Sequence, residues 1–313
     1  MISKILIVDP LTLLGRELLR CLEASPDLGF EIEYRHTSPD DELQIAELAA
    51  APALVAPLEA DEALAGVDVV VVASDAETDR TARLERMLAA HPEVAVVDVG
   101  RLQSLRELTS PDAGLDPAGG SDRRVRVAHP ALAAAALVAR ALEVLDPVRI
   151  IVAAVDPVSG AGRDAIETLA HQAARRLQGG TPDHLLDGHV RAFSQISVDP
   201  DALAEEAAVI LPGLPSTVTL TLGGCFHGHL AHLALELADP VDDFELRDLL
   251  EDRPDLVLVE SPLKLDDVVD RDQVLLSLPQ LSADRRVVAF TAMVDGLRVG
   301  GAVTAVAILR SMM

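Results

Sequence analysis

Apolar positions follow two rhythms along this chain, and the change between them divides it. Lys4 to Val8 (KILIV) is a short apolar run stopped by Asp9-Pro10, and LLGRELLRCLEA then repeats Leu14, Leu18, Leu19 and Leu22 at helical spacing. FEIEYR alternates like a half-buried strand, whereas Val67 to Val72 (VDVVVV) has the β-branched density of a strand covered on both faces. TDRTARLERMLAAH is helical and EVAVVDVG supplies another buried strand. Strands alternating with helices at this spacing predict a doubly wound parallel sheet. Residues 107–124 (ELTSPDAGLDPAGGSDRR) are dense in Pro, Gly and Asp and predict a loop. Beyond it come VRVAHP, a long Ala/Leu helix, a strand running to Asp156, and Ser159-Gly160-Ala161-Gly162 before the helical RDAIETLAHQAARRL. The rhythm then changes. STVTLTLGGCFHGHLAHLALELA is one long alternating run punctuated by glycines, as in antiparallel strands with one buried face. VVAFTAMVDGL extends it, and GGAVTAVAILRSMM closes the chain as a helix.

Composition narrows the chemistry. A chain of 313 residues suits two domains, each with a core of its own. With no Trp, one Tyr and five Phe, those cores are built from Ala, Leu, Val and Ile. Only Lys4 and Lys264 are lysines, which leaves few candidates for amine chemistry. A net charge of −25 repels phosphate backbones and anionic lipid, so neither nucleic-acid nor membrane binding is expected. Cys21 and Cys225 make neither a disulfide framework nor a zinc site, and Cys21 reads as a small core residue in a leucine-rich helix. MISKILIVDP is too short an apolar run for a signal peptide, and no stretch of about 18 apolar residues occurs. The expectation is a cytoplasmic protein.

Three motifs in order carry a resemblance: Val158-Ser159-Gly160-Ala161-Gly162, Gly228-His229, and GLRVGGA beginning at Gly296. Together they resemble the aspartate-semialdehyde dehydrogenase family, and most closely its divergent homologues without the catalytic cysteine, the USG-1 type. The resemblance implies an α/β fold: a Rossmann-type doubly wound parallel sheet plus an α+β dimerisation domain with a mixed or antiparallel sheet. It implies a first domain over 1–127, completed by the C-terminal helix 297–313, and a catalytic and dimerisation-like domain over 128–296. The family's Asn-Pro-Asn-Cys falls on His129-Pro130-Ala131-Leu132, so Leu132 stands at the nucleophile; a leucine has no lone pair with which to attack a carbonyl carbon. Asp156 stands at the positioning glutamine, Leu222 at the substrate arginine, and Asp199 to Ala202 on a Glu-x-x-Lys segment. His229 keeps the general-base position as a vestige, with nothing to deprotonate.

The family's glycine-rich turn is equally altered. Asp9-Pro10-Leu11-Thr12-Leu13-Leu14-Gly15 keeps only its last glycine, the one needed where helix packs on strand. Asp9 brings negative charge towards a pyrophosphate, and Thr12 is β-branched where close backbone approach is needed. Thr12, Gly15, Arg35, Ser159 and Gly160 are the positions that would touch cofactor. Arg35, about twenty residues after Gly15, is the candidate for a 2′-phosphate. Cys225 is no replacement nucleophile: four residues along an extended strand put it about 13 Å from His229. His227 and His229 would share a strand face, with His232 opposite and His184 and His189 elsewhere, and no metal is expected. The reading is a catalytically inactive homodimer with no cofactor, binding or regulating a protein partner or an active paralogue. The alternative is a divergent NADP-dependent semialdehyde dehydrogenase or another enzyme using His229.

Overall fold

The computed structural model describes residues 2–38, 42–48, 51–59, 64–75, 78–112 and 123–313. Most of the expected loop, residues 113–122, lies outside them. The chain divides into two compact units, Met1–Val127 with Gly301–Met313, and Ala128–Gly300.

In the first unit the sheet order is β3-β4-β2-β1-β5-β6-β8-β7. Its strands are β1 (Lys4–Val8), β2 (Glu31–His36), β3 (Gln44–Leu48), β4 (Ala51–Pro57), β5 (Val69–Val72), β6 (Ala95–Asp98), β7 (Ser110–Asp112) and β8 (Arg124–Val127). All pairings are parallel except β3 with β4. The buried strands show why β-branched runs replace alternation. Ile5, Ile7, Val69, Val71, Ala95 and Val97 join one core, while Leu6, Val8, Val70, Val72 and Val96 join another on the opposite face. Helices α1 (Leu13–Glu23) and α7 (Val303–Ser311) cover the first face, and α2 (Asp79–Ala90) covers the second through Leu84, Met87 and Leu88. Cys21 is a buried member of the first core. At about 25 cal/mol per Å² of apolar surface removed from water, this two-sided burial dominates the unit's stability.

The second unit holds a mixed sheet, ordered β10-β11-β9-β12-β16-β14-β13, with β15 paired to β16. These are β9 (Pro147–Asp156), β10 (Gln195–Val198), β11 (Ser216–Gly223), β12 (His229–Leu237), β13 (Leu256–Val259), β14 (Val274–Ser277), β15 (Gln280–Leu281) and β16 (Val287–Val294). Here alternation rules. Ile150, Val152 and Ala154 of β9, with Ala231, Leu233 and Leu235 of β12, are buried, and their neighbours turn to the opposite face. Helix α3 (Pro130–Ala141) packs on β9, β12 and β16 and is buried almost all round, which is why it is written in alanine. The remaining helices are α4 (Arg163–Leu177), α5 (Asp201–Ile210) and α6 (Asp243–Glu251).

One expectation needs correction. The run from Ser216 to Leu237 is not a continuous extended segment: β11 ends at Gly223, Gly228 takes φ +80°, and β12 starts at His229. Gly224 explains the break, since a Cβ there would lie 2.4 Å from the Arg191 carbonyl oxygen. β11 moreover pairs parallel with β9, so the sheet is mixed. His227 therefore precedes the strand and does not share a strand face with His229. No helix among the described residues is long and apolar enough to cross a membrane.

Candidate functional site

In the second unit three side chains meet where two strands and a helix change direction. His129 is the N-cap of α3, with Pro130 at the first helical position, where proline's fixed φ suits a helix start. Its Nδ1 accepts from the Ala131 N–H at 3.2 Å, and its Nε2 lies 3.0 Å from Asp156 Oδ2 at the end of β9. An imidazole nitrogen that accepts carries no proton, so the ring proton sits on Nε2 and is donated to Asp156. The other Asp156 oxygen is 3.9 Å from His229 Nε2, at the start of β12. The two rings stand edge to face, 5.6 Å between centroids. Both histidines are buried.

The surroundings hold these groups rigidly. The His129 backbone N–H donates to the buried Glu206 carboxylate of α5 at 2.5 Å. Arg191, 2 % exposed, donates from Nη2 to the Asp156 and Gly223 carbonyl oxygens at 2.8 Å each, and from Nε to Gly223 at 3.2 Å. A buried guanidinium thus clamps the ends of β9 and β11. Gly296 is required by close approach, because a Cβ there would lie 2.2 Å from the His229 ring. Gly160 differs: the nearest atom its Cβ would meet is His229 Nε2, at 4.0 Å, an ordinary contact, so space does not require glycine there. Proton exchange is the chemistry that two imidazoles around one carboxylate offer.

His129, Asp156 and His229 have donor atoms within 4.8 Å of one another, close enough for one metal ion to be considered. The hydrogen bonding disfavours it. A ligating His normally donates from its second nitrogen, whereas His129 Nδ1 faces a donor and Nε2 keeps its proton. Of the other histidines, His232 is exposed and contacts Thr291 Oγ1 at 3.2 Å, and His184 and His189 belong to a different segment.

Leu132 is fully buried on α3. Leu222 lies on β11 in register with Asp156, and Asp199 accepts from the Asp201 N–H at the start of α5. Ser159 and Gly160 lie in a short 3₁₀ turn, Ser159 donating from its backbone to the Phe226 carbonyl. Burial pushes the half-buried Cys225 thiol above its ordinary value, the reverse of an activated nucleophile. His129 is the participant that residue-by-residue comparison passed over, although a histidine directly before a helix-starting Pro-Ala run signals a cap. Arg191 and Glu206 have no local sequence signal at all.

In the first unit the expected cofactor turn is spent on itself. Thr12 caps α1, its Oγ1 accepting from the Gly15 N–H at 3.0 Å and donating to the Ala73 carbonyl at 2.7 Å. A Cβ on Gly15 would stand 2.3 Å from the Asp9 carbonyl oxygen, so glycine is needed there for packing. Arg35 turns along its own strand to Glu33 and the Tyr34 carbonyl. Asp9 has φ +59° and is nearly buried; its carboxylate accepts from the Thr37 N–H at 2.6 Å, from Thr37 Oγ1 at 2.5 Å and from Ser74 Oγ.

No protein-family model matches the sequence, nor does any curated protein sequence. The fold is nevertheless that of aspartate-semialdehyde dehydrogenases. The structure of aspartate semialdehyde dehydrogenase II from Vibrio cholerae, complexed with ASA, superposes with a TM-score of 0.84 at 17% identity, covering 100% of this chain and 98% of that one. A probable aspartate-semialdehyde dehydrogenase from Pseudomonas aeruginosa gives 0.82 at 20% identity, over 99% and 98%. The Francisella tularensis enzyme gives 0.81 at 14% identity, over 99% of each chain.

Proposed function

We propose that this chain is a divergent homologue of aspartate-semialdehyde dehydrogenase, of the USG-1 type, that does not carry out thiol-dependent hydride transfer. It acts in the cytoplasm as a homodimeric binding or regulatory protein, its partner a second protein or an active paralogue. The observation that carries the reading is Leu132: the resemblance assigns this position to the nucleophile, and the residue there is a saturated, fully buried side chain on α3. The altered Asp9–Gly15 turn supports it, as does a Cys225 thiol shifted away from reactivity. The open face of the second sheet, with Val148 and Ile151 more than two-fifths exposed, is the surface for self-association. The test is direct. Purified protein given NADP⁺, an aspartyl semialdehyde and phosphate should produce no NADPH, and should sediment as a dimer. Turnover above that of a His229→Ala control would sink the reading.

One observation favours a second reading, in which the chain is an enzyme without a thiol. Asp156 is hydrogen-bonded to His129 and lies 3.9 Å from His229, a grouping suited to a general acid or base. NADP would then be a cofactor only if the first unit binds it. Under this reading Asp156→Asn abolishes whatever activity a substrate screen finds, while His232→Ala leaves it intact.

A further inference from the structure

We infer that the carboxyl ends of β1, β2 and β5 form an anion-binding cradle whose resident ligand is the side chain of Asp9. With that carboxylate removed, the cradle takes a phosphate monoester. The inference deepens the reading above, since it supplies the physical reason why nicotinamide nucleotide is not bound.

The donors come from separate strand ends. Thr37 follows β2 and gives both its backbone N–H and its hydroxyl; Ser74 follows β5 and gives its hydroxyl. All are neutral, and no ion pair to Asp9 is found among the described residues. Convergent main-chain and hydroxyl donors are the equipment with which proteins hold phosphate, because an ionised oxygen accepts strong bonds from each. Their location adds to this. β1 lies between β2 and β5, where the strand order reverses, and ligands of open parallel sheets bind outside the carboxyl ends of strands at such a point.

Asp9 reaches the donors because its backbone is left-handed, a conformation that aspartate tolerates better than most side chains. Its carboxylate is acceptor-only, as a phosphate is, so it satisfies every donor that an incoming phosphate would use and opposes that phosphate with like charge. Its backbone is anchored: Gly15 packs against the Asp9 carbonyl, and the Asp9 N–H is bonded to the Arg35 carbonyl at 2.7 Å.

The experiment titrates wild type, Asp9→Gly and Asp9→Asn with inorganic phosphate and with NADP⁺, by calorimetry and thermal shift. Glycine keeps the left-handed turn, so Asp9→Gly opens the cradle without disturbing the loop. Wild type should bind neither probe at millimolar concentration. Asp9→Gly should gain saturable phosphate binding, tighter by about tenfold or more, or about 1.4 kcal/mol. Adding Thr37→Val and Ser74→Ala should remove the gain. Asp9→Asn keeps the plug and drops the charge, and should fall between the two. It carries the test if Asp9→Gly does not melt cooperatively. Variants that fold and bind phosphate no better than wild type overturn the inference. Micromolar NADP⁺ binding by wild type sinks the functional reading instead, and the wild-type comparison with Asp9→Gly still decides the role of Asp9.

Discussion

Asp9, Asp98 and Asp156 are three of the carboxylates at the carboxyl ends of strands, and the two units use them differently. In the first unit Asp9 is bonded to Thr37 and Ser74, and Asp98, fully buried at the end of β6, accepts from the Arg101 N–H at 2.8 Å. Both are turned inward: Asp9 ties the segments after β2 and β5, and Asp98 its own loop. In the second unit Asp156 lies between two imidazoles, 3.0 Å from His129 and 3.9 Å from His229. Asp9 and Asp98 are buried, whereas the Asp156 side chain keeps 20% of its surface exposed, so exposure as well as bonding separates a chemical site from a structural tie.

The contrast is broken most severely at the clamp that makes the second unit's geometry possible. Arg191→Leu removes three hydrogen bonds and leaves the Asp156 and Gly223 carbonyls without the guanidinium that joins them. Losing a buried, charged donor costs about 3–5 kcal/mol, so the variant should melt far below wild type or fail to fold. Arg191→Lys should rescue little, because a point charge cannot reproduce the planar fork. An unchanged melting temperature in either would mean that Asp156 is positioned by something else.

Much of this was legible in the chain, and the boundary of legibility is physical. Periodicity located α1, α4, β5 and β6 because each buries a regular face. It missed the β3–β4 hairpin, whose strands carry a single β-branched residue each, and it fused β11 with β12 because alternation looks the same on both sides of a turn. Comparison of motifs placed His229 and Asp156. It did not reveal that they meet His129, because that depends on β9, β12 and α3 ending at one point. Nor did it show Asp9 as a ligand rather than a mere repulsive charge, since Thr37 and Ser74 are 28 and 65 residues away.

The first unit's inward use of carboxylates has a signature in pH. Burial pushes the Asp98 carboxyl up to about 7 from 3.8, against the opposing pull of backbone N–H groups at Arg101 and Leu102 and the charges of Arg126 and Arg101. A carboxyl raised on folding holds its proton where the unfolded chain has lost it. Its penalty is therefore absent below about pH 4, grows as pH rises and is complete above about pH 7, a loss on the order of a few kcal/mol. Asp98→Asn should flatten that slope, melting above wild type at about pH 8 and losing the advantage at about pH 5. Parallel pH profiles for the two proteins would show that Asp98 is ionised at no such cost.

The smallest effect concerns Leu132, and it sharpens the contrast from the second unit's side. Leu132 is fully enclosed on α3, so Leu132→Cys exchanges one buried side chain for a smaller one and costs about 2 kcal/mol in lost packing. The new thiol should resist iodoacetamide in the folded protein and react only on denaturation, when the peptide containing position 132 acquires the label. No semialdehyde turnover should follow, because a thiol surrounded by apolar groups is held as the neutral, unreactive form. Rapid labelling of the native variant would place position 132 within reach of solvent and His229. The enclosure of position 132 would then no longer separate the second unit from a thiol-bearing site.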